Sequence, residues 1–510
     1  MTEQAPRVAL RADASAQAGL GHVVRILALG RALIECGAEV RLLARDLGVD
    51  TARLARDAGI GHTLLHQVAA SSSAASSFDT VEDARCLVQL LQAWHPDIIV
   101  ADHYGLDAQW HEAVRNALGS KIAVIDDLAD RDLLADWVID HNPAADHRAK
   151  YARHLRTPAH ILGGPRFALL APAYRDAPAC VWHDAVRSIG IFMGGTDATG
   201  YSSIALRACR EVAGFAGLVE IATTSANPQL ATLRAECRSW PDTQLLLDAP
   251  DLSAFFARHD LQIGAGGGAA WERCRVGAPT LVIACAANQQ VVIEPLASLG
   301  VVAVLPAGMA ADAAGIGAAV LAQLAAPMRR LDMAQRGRAL VDGLGARRAA
   351  LCMLSTRLAL RPALAADALQ MHRWRNHPVT RSRSKDDHEI GWETHERWFA
   401  GALSDPRRTL LVAQIGSLPL GVMRFDDLAD GTTEVSLYLD PALHGLGLGI
   451  NLLNAGERYL MARRGTPLQL VGTVLDTNSA SQRIFHQAGY RQTGTHWQKV
   501  VPVAPQGTRT

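Results

Sequence analysis

The stretch GLGHVVRILALGRAL, residues 19–33, places a histidine where it could act on a proton. It follows the apolar, strand-like run RVALRADAS, and the apolar periodicity beyond it predicts a helix with His22 in its first turn. Imidazole has an unperturbed pKa of about 6.5, so it can take a proton from water near neutral pH, and the positive end of the helix dipole favours its neutral form. His22 is therefore a candidate general base. A cap-like donor or a solvated first-turn residue is the alternative.

Glycine-rich turns between strand and helix recur at four places in the chain. They are ADASAQAGLGH after the first strand, FMGGTDATG at 192–200, IGAGGGAAWER at 263–273 and CAANQQ at 285–290. Helix N-termini offer unpaired backbone N–H groups at the carboxyl edge of a parallel sheet, where ligands bind. Each loop alone is equally compatible with a tight turn, but three of them in one domain favour a nucleotide. The first loop departs from the dinucleotide fingerprint, because Val24 stands in place of its third glycine.

The segments around these loops alternate strand and helix patterns over residues 1–350. This alternation predicts an α/β fold of two tandem, doubly wound Rossmann-like domains, at residues 1–165 and 166–350, joined within ILGGPRFALLAPAYRDAPAC at 161–180. From 351 to 500 the pattern changes to consecutive strands, which we expect to be antiparallel, mixed with helices. Residues 501–510 are expected to form a disordered tail.

Composition narrows the class of protein. The chain has 510 residues, 49% of them hydrophobic, and a formal net charge of zero, so no overall field attracts nucleic acid or an acidic membrane. Its eight cysteines are spread singly without a CxxC pair, which is typical of a reducing compartment rather than of a disulfide framework or zinc site. The N-terminus lacks a basic segment followed by an apolar one. We therefore expect a cytoplasmic protein without a signal peptide or a membrane span.

Five motifs are spread over the two α/β domains: RADASAQAGLGHVVRILALGRAL, VADHYGLD, IDDLADR, IFMGGTDATG, and IGAGGGAAWERCRVGAPTLVI followed by NQ. Together they resemble the UDP-sugar hydrolases of pseudaminic acid biosynthesis. That family is similar to two-domain glycosyltransferases of the B type (GT-B), but it transfers the sugar to water. The resemblance implies hydrolysis of UDP-2,4-diacetamido-2,4,6-trideoxy-β-L-altropyranose to UDP and the free sugar, a precursor of a nonulosonic acid of flagellin or surface glycans.

The resemblance also implies roles for individual residues. It makes His22 the base that activates water at the anomeric carbon. The implied UDP ligands are Gly194, Gly195, Thr196, Gly266, Gly267, Gly268, Glu272, Asn288 and Gln289, and the implied sugar-side residues are Asp13, Gly21, His103, Tyr104, Asp126 and Asp127. Glu272 would accept the ribose hydroxyls, although a first-turn acid that complements the helix dipole is equally compatible with its position. Backbone N–H groups can meet the charge of leaving UDP, so we expect no obligatory metal. The alternative is that DRD at 130–132 is a DxD metal motif, but this pattern is more typical of a polar loop.

Two motifs near the C-terminus carry a second resemblance. EVSLYLDPALHGLGLGINLLNAGERYLM, residues 434–461, and VGTVLDTNSASQRIFHQAGY, residues 471–490, each predict a strand followed by a helix. The combination resembles GNAT-type N-acetyltransferases, whose glycine loop binds the pyrophosphate of coenzyme A. The implied acetyl-CoA ligands are Gly445, Gly447, Gly449, Ile450, Asn478 and Ser481. His444 stands where the family usually has Gln or Arg, which removes one side-chain contact and keeps the backbone cradle.

The candidate acid and base residues of this domain match the GNAT pattern less well than the glycine loop does. The tyrosine that usually protonates the departing thiolate aligns with Phe485, so Tyr490, Tyr438 or a water must replace it, or the thiolate leaves unassisted. Glu434 is a candidate base, and an exposed strand carboxylate is its plainer interpretation. Within the family the chain resembles the 4-N-acetyltransferase of the same pathway. That implies contacts of its substrate nucleotide with WRN at 374–376 and RSRS at 381–384.

The two resemblances support each other, because the acetylated product of one domain is the substrate of the other. They predict a bifunctional enzyme in which tethering raises the local concentration of the intermediate. Three alternatives remain: a glycosyltransferase with another acceptor, a hydrolase of a related UDP-diamino sugar, and a nucleotide-sugar sensor whose acetyltransferase half has decayed.

Overall fold

The chain divides into two compact units, each described by itself. The structure is a computed structural model that describes residues 4–15, 19–65, 78–285, 289–306 and 308–502. The first unit comprises Met1–Ile34 and Ala38–Ala349, and the second comprises Glu35–Gly37 and Ala350–Thr510. Of the tail predicted at 501–510, Val501 instead ends a strand, and residues 503–510 lie outside the described residues, as does the Ser/Ala-rich segment at 69–77.

The first unit opens with a seven-stranded parallel sheet in the order β3-β2-β1-β4-β5-β6-β7. Its strands are β1 (Arg7–Ala12), β2 (Glu39–Ala44), β3 (Gly61–Leu64), β4 (Ile98–Asp102), β5 (Lys121–Ile125), β6 (Trp137–Asp140) and β7 (His160–Gly163). Its helices are α1 (Gly21–Glu35), α2 (Thr51–Asp57), α3 (Thr80–Leu91), α4 (Ala108–Leu118) and α5 (His147–Tyr151). The strands β4 and β6 are buried along their whole length, as expected for a sheet covered on both faces.

Helix α1 packs closely on this sheet because of one glycine. A Cβ added at Gly30 would lie 2.6 Å from Ile60 Cδ1 and 2.8 Å from Leu10 Cδ1, so a larger residue would require these side chains to shift. The buried face of α1 includes Val23, Ile26 and Leu33. The helix therefore starts at the carboxyl edge of the sheet, with its first turn over the ends of β1 and β4.

A second parallel sheet follows in the order β10-β9-β8-β11-β12-β13. Its strands are β8 (Ser188–Phe192), β9 (Leu218–Thr223), β10 (Thr243–Leu247), β11 (Leu261–Ala265), β12 (Thr280–Ile283) and β13 (Ala303–Val304). The helices of this part are α6 (Tyr201–Arg207), α7 (Leu230–Ser239), α8 (Ser253–Ala257), α9 (Ala269–Val276), α10 (Gln290–Ser298), α11 (Ala313–Leu324), α12 (Pro327–Leu340) and α13 (Gly345–Met353). In both sheets the strand order reverses beside the first strand: the next two strands lie on one side of it, and the later strands lie on the other side. This is the Rossmann arrangement.

The second unit contains a mixed sheet in the order β14-β15-β16-β17-β18-β20-β19. Its strands are β14 (Ala359–Pro362), β15 (Arg408–Ile415), β16 (Leu418–Asp427), β17 (Thr433–Leu439), β18 (Leu468–Thr473), β19 (Arg491–Thr493) and β20 (His496–Val501). Its helices are α14 (Ala368–Asn376), α15 (Pro378–Arg381), α16 (Trp392–Ser404), α17 (Leu448–Arg464) and α18 (Ser479–Gln487). β17 and β18 are parallel and pair only at Thr433–Leu470 and Glu434–Val471, so they part beyond that point.

The predicted fold class, two doubly wound α/β domains followed by a mixed-sheet domain, is confirmed. The sequence patterns miss β3 and β7, because GHTL and HILG are only partly buried and lack the apolar run that marks the equally short β6 and β12. β7 takes up Ile161–Gly163, which the patterns assign to the join between domains. Within the described ranges, no helix combines the length and the apolar character that crossing a bilayer requires.

Candidate functional site

The first turn of α1 and the end of β4 form a bonded trio of side chains. His22 Nδ1 lies 2.6 Å from Asp102 Oδ1. Arg25, one turn further along α1, donates to the same carboxylate from Nε (2.7 Å, to Oδ2) and from Nη2 (2.7 Å, to Oδ1). The Asp102 side chain is fully buried, whereas the His22 ring keeps some exposure. Three bonds to one carboxylate fix the orientation of the imidazole.

The charges of this trio reinforce each other. Burial alone would raise the pKa of Asp102, but the charge of Arg25, then that of His22, and their hydrogen bonds hold it well below its usual range. A carboxylate that stays ionised accepts the Nδ1 proton, which leaves Nε2 as the basic nitrogen. Nε2 has no hydrogen-bond partner among the residues that the structure describes. The arrangement can therefore take a proton from a small molecule at Nε2.

Tyr104 and Asp127 complete the surroundings of His22. The Tyr104 ring meets the His22 ring edge-on, with centroids 4.8 Å apart. Its hydroxyl donates to Asp127 Oδ1 at 3.0 Å, and Arg25 Nη1 donates to Asp127 Oδ2 at 3.2 Å. The structure thus brings two of the predicted sugar-side residues next to the candidate base.

Asp13 and His103 lie at the ends of β1 and β4 in a second polar group. Asp13 accepts from Arg11 at 2.6 Å and pairs with Arg45 at 2.6 Å. His103 Nε2 is 3.7 Å from Asp13 Oδ2, and burial together with the charge of Arg11 lowers the pKa of His103 to about 4. Asp13 is nearly enclosed by its arginines, so its carboxylate organises the loop more than it offers a free acceptor.

The expectation that Asp126 faces the sugar is not met. Its side chain is fully buried, and it accepts from Arg131 Nη1 at 2.7 Å, from the Tyr151 hydroxyl at 3.0 Å and from the Ala129 amide at 2.9 Å. All of these partners come from the same domain. The carboxylate ties a loop to the sheet edge and does not reach solvent.

The DRD segment also consists of paired residues. Asp130 lies 3.1 Å from Arg131 Nη1, and Asp132 lies 3.1 Å from Arg156 Nη2. These ion pairs agree with the interpretation of the segment as a polar loop.

The glycine loop after β8 lies against the loop that carries His22. A Cβ added at Gly195 would lie 2.7 Å from Leu20 Cδ1, so the two loops are in contact within the first unit. Gly194 adopts φ +100°, which only glycine holds without strain, and the Thr224 hydroxyl donates to Gly195 O at 2.7 Å. A Cβ at Gly21 would meet no atom of the described residues within 4 Å.

The N-terminus of α6 is occupied by a side chain. The Asp197 carboxylate accepts from the amides of Tyr201 at 3.0 Å and Ser202 at 2.9 Å. Any phosphate at this loop would therefore meet the backbone of Gly194, Gly195 and Thr196 rather than the first turn of α6. Thr196 itself is buried.

The loop before α9 differs from the loop before α6, whose helix start is bonded to a carboxylate. Among the described residues, no side chain caps α9 after Gly268, and Cβ atoms added at Gly267 or Gly268 would meet none of their atoms within 4 Å. Gly266, in contrast, is packed against Ile293. A helix start without a side-chain cap is a suitable place for an anionic group.

Gln289 lies between two of the glycine loops. Its Oε1 accepts from the Gly266 amide at 3.3 Å and from the Cys285 amide at 3.0 Å. Gln289 therefore holds the two loops together, and its amide nitrogen remains a possible donor to a ligand. Asn288 lies outside the described residues.

Glu272 stands in the first turn of α9 in an unusual environment. Burial raises the pKa of its carboxyl to about 7, against the opposing influence of Tyr174 and Arg273. Arg273 is buried as well, and its Nη2 donates to Ala265 O at 2.7 Å, beneath the glycine loop. The carboxyl of Glu272 therefore titrates near neutral pH.

Sequence reasoning missed Asp102 and Arg25 as site residues. Two signals were available: Asp102 ends a buried strand within VADHYGLD, and Arg25 follows His22 by three residues on the same face of a helix. Their contact depends on β4 pairing beside β1, which only the strand order reveals.

In the second unit, the glycine loop leads directly into α17. Gly445 and Gly447 adopt φ values of +80° and +75°, and Gly447 is the residue before the first helical turn, without a side-chain cap. A Cβ at Gly449 would overlap Ile484 of α18, so the start of α17 packs tightly there. Ile450 packs on the core of the domain. The first N–H groups of α17 are left for a ligand.

Asn478 and Ser481 form a helix cap. Asn478 Oδ1 accepts from the Ser481 amide at 3.1 Å, at the first turn of α18. This bond accounts for the type and spacing of both residues, so their predicted contact with coenzyme A stays a prediction.

The candidate acid and base residues differ in their surroundings. Tyr438 packs among apolar side chains, and burial raises the pKa of its hydroxyl above the usual value while Arg375 and Arg424 oppose the shift. Glu434 accepts from Lys385 Nζ at 2.9 Å near the point where β17 and β18 part.

Tyr490 lies in the core with Phe485, at a ring separation of 4.8 Å. Burial raises the pKa of Tyr490, and Glu457 of α17 adds to the shift. Glu457 is the tenth residue of that helix. At a rise of about 1.5 Å per residue, Glu457 is thus roughly 13 Å along the helix from its start. A role of Tyr490 on the thiolate stays a prediction.

The expectation that Trp374 stacks on a nucleotide is not met, because its side chain is only 5% exposed within an apolar cluster. The side-chain amide of Asn376 pairs with the backbone of Ile390. Its Oδ1 accepts from the Ile390 N–H at 2.9 Å, and its Nδ2 donates to the Ile390 carbonyl at 2.8 Å. Arg375 donates to Asp386 O at 2.8 Å. The segment 381–384 includes Arg383, whose charge, after burial, lowers the pKa of His444 beside the glycine loop.

Comparisons with known proteins give one family match and several similar solved structures. Residues 357–491 match the family of acetyltransferase (GNAT) domains. The comparison with curated proteins gives no match. MurG from Acinetobacter baumannii is 15% identical with a TM-score of 0.48, covering 68% of this chain and 98% of MurG. MnaA from S. aureus, solved with UDP, is 15% identical with a TM-score of 0.49, covering 68% and 96%.

For the second unit, the aminoglycoside acetyltransferase AAC(6')-Ib, solved with coenzyme A and kanamycin, is 14% identical with a TM-score of 0.26, covering 28% of this chain and 94% of its own. Similarity at these levels carries no inference about activity. The class of protein is thus two Rossmann-like domains followed by a third, mixed-sheet domain. That third domain is a GNAT acetyltransferase domain.

Proposed function

We propose that the first unit hydrolyses a UDP-linked diacetamido sugar to UDP and the free sugar. The observation that carries the proposal is the His22–Asp102 contact of 2.6 Å at the mouth of α1, beside a glycine loop of the second domain. An oriented imidazole with a free Nε2 is suited to activating water.

In the proposed reaction, His22 Nε2 takes a proton from water while the water oxygen bonds to the anomeric carbon. The bond from that carbon to the UDP oxygen breaks, and its electron pair leaves with UDP. Asp102 stabilises the imidazolium that forms, and Arg25 keeps Asp102 ionised and in place. The imidazolium then returns its proton to solvent.

The second Rossmann-like domain of the first unit, predicted at residues 166–350, would hold UDP. The uncapped start of α9 at Gly267 and Gly268 and the backbone of Gly194 and Gly195 can meet the negative charge of the leaving diphosphate. Glu272 would accept the ribose hydroxyls. No obligatory metal enters this scheme.

We further propose that the GNAT domain acetylates the amino sugar that precedes this substrate, using acetyl-CoA. The uncapped loop Gly445–Ile450 would bind the pyrophosphate, as its φ values and its helix start favour. The amine attacks the thioester carbonyl, an amide bond forms, and the carbon–sulfur bond breaks. Glu434 would accept the proton of the amine. Tyr438, whose raised pKa keeps it protonated at neutral pH, would donate to the thiolate.

The hydrolase proposal is tested by incubating the full chain with the UDP-diacetamido sugar in isotopically labelled water. We expect UDP release with the label at the anomeric oxygen of the sugar, because water is the acceptor. Release that requires a second sugar or another acceptor would instead identify a glycosyltransferase.

The acetyltransferase proposal is tested by thiol release from acetyl-CoA with the UDP-4-amino sugar. We expect release above the rate without acceptor and a strong loss in Tyr438→Phe. No release above that background would favour a nucleotide-sugar sensor.

A further inference from the structure

The carboxyl end of β6 carries two polar side chains that the proposed hydrolysis does not use. The strand ends at Asp140, and His141 and Asn142 follow it. They are 5% and 3% exposed, respectively. Neither polar atom of the Asn142 amide, nor Nδ1 of His141, has a hydrogen-bond partner among the residues that the structure describes. Buried polar groups are nearly always paired, so these atoms point to a ligand.

The backbone of Asn142 is fixed, in contrast to its side chain. Its N–H donates to Asp140 Oδ1 at 3.0 Å, and its carbonyl lies 2.9 Å from His147 Nε2. Asp140 is held in turn by Lys150 Nζ at 2.7 Å. The side-chain amide is therefore presented from a rigid position without a structural partner of its own.

His141 lies between the base cluster and the second domain. Burial, helped by the charge of Arg25, lowers its pKa to about 4, while the charges of Asp127 and then Asp102 oppose the shift. On the other side, its ring meets Trp271 of α9 edge-on at 5.9 Å. His141 therefore lies between the base cluster and α9, the helix proposed to hold the diphosphate, and Asn142 directly follows it in the chain. The proposed hydrolysis requires the sugar between these two sides.

We propose that Asn142, supported by His141, binds an acetamido substituent of the sugar. An Asn side chain offers an acceptor and donors that match the N–H and carbonyl of an acetamido group, so the two amides can form a pair of hydrogen bonds. The His141 ring is neutral and adds one donor or acceptor. Two neutral groups suit an uncharged substituent better than a phosphate or an ammonium. The inference rests on the proposed hydrolase function and adds a specificity determinant to it.

Binding measured without turnover separates this inference from the hydrolase proposal. In the His22→Ala full chain, calorimetry gives the Kd of UDP, of the diacetamido UDP-sugar, and of two analogues in which one or the other acetamido group is replaced by hydroxyl. We expect Asn142→Leu to raise the Kd of the diacetamido sugar about 10- to 100-fold. The Kd of UDP and of one hydroxyl analogue should stay unchanged, because neither makes the lost contact.

A matched control tests whether Asn142 is instead structural. Asn227, also buried in the first unit, donates to Thr223 Oγ1 at 3.0 Å and accepts from the Gln229 amide at 2.8 Å. Asn227→Leu should therefore lower the melting midpoint, whereas Asn142→Leu should not. The inference would be overturned if both variants lost the same stability. It would also be overturned if Asn142→Leu left the Kd of all four ligands unchanged or changed all four by the same factor. Failure of the wild-type chain to release UDP would contradict the hydrolase proposal alone.

Discussion

The two parallel sheets of the first unit share a strand order but present different chemistry at the same edge. The first edge carries buried carboxylates, Asp13, Asp102, Asp126 and Asp140, each bonded to a basic side chain. The second edge presents glycine loops with backbone atoms at Gly194 and Gly268, and the acids Asp197 and Glu272 lie in or against the first turns of the helices that follow. The common topology brings loops together, and the residue types decide whether an edge holds catalytic side chains or offers backbone to an anion.

The contrast has an energetic basis. A buried carboxylate without a partner is strongly unfavourable, so each acid of the first edge requires an arginine or lysine close by. The result is a set of oriented charges around His22. At the second edge the glycines leave space for a ligand, and the unpaired N–H groups supply the positive end. Variants at the two edges should therefore affect different kinetic constants.

The largest effect is expected for His22→Ala. Removing the base should lower kcat for UDP release by about 100- to 10,000-fold, while the Kd of UDP stays nearly constant because the imidazole does not contact the nucleotide in this scheme. Coupled UDP detection and calorimetry measure the two quantities. Persistent turnover would remove His22 from its role.

Asp102→Asn should have a smaller effect on the same constant, about 10- to 100-fold on kcat, since the imidazole remains. The amide can donate to Nδ1 and so leave the proton on Nε2, and Arg25 loses the charge that it pairs with. Thermal melting should show a loss of stability as well. A change confined to UDP affinity would contradict the proposed contact between the residue and the base.

At the second edge, Gly268→Ala should weaken UDP binding about tenfold at unchanged stability, because the added Cβ enters open space where a phosphate is proposed. Gly266→Ala is the matched comparison. Its Cβ would overlap Ile293, so its main effect should be a lower melting midpoint. Equal UDP affinity in wild type and Gly268→Ala would mean that the nucleotide does not use this loop.

The smallest effect is expected from pH. The raised pKa of Glu272, about 7, means that the carboxylate is protonated below pH 7 and ionised above it. Between pH 8 and pH 6 the ionised fraction falls about tenfold. Because the protonated carboxyl can still bond to one hydroxyl, the affinity for uridine should fall by less, about threefold. Uridine carries no group that titrates in this window. Glu272→Gln should remove the dependence, and its persistence in that variant would assign it to another group.

The sequence was sufficient for elements with strong local patterns. The buried strands around β1 and β4, the glycine turns and the helix after His22 follow from periodicity and turn chemistry. The short strands β3 and β7 do not, because their formation depends on neighbours that are distant along the chain.

Side-chain roles also divide into those that the local sequence predicts and those that depend on residues distant along the chain. The position of His22 could be predicted from its place before a helix, but its partner Asp102 lies 80 residues away and is brought near by strand pairing. Asp126 and Trp374 show the converse, because a polar residue at a strand end and an aromatic residue on a helix are both compatible with burial. Only the packed structure reveals which atoms are left without a partner, as at Asn142.

The proposed sequence of two reactions can be followed in one NMR time course of the full chain with the UDP-4-amino sugar and acetyl-CoA. We expect the acetylated UDP-sugar to appear first and then to give UDP and free sugar, and we expect this intermediate to accumulate in His22→Ala. Accumulation of the acetylated UDP-sugar in the wild-type chain, without release of UDP, would contradict the proposed sequence.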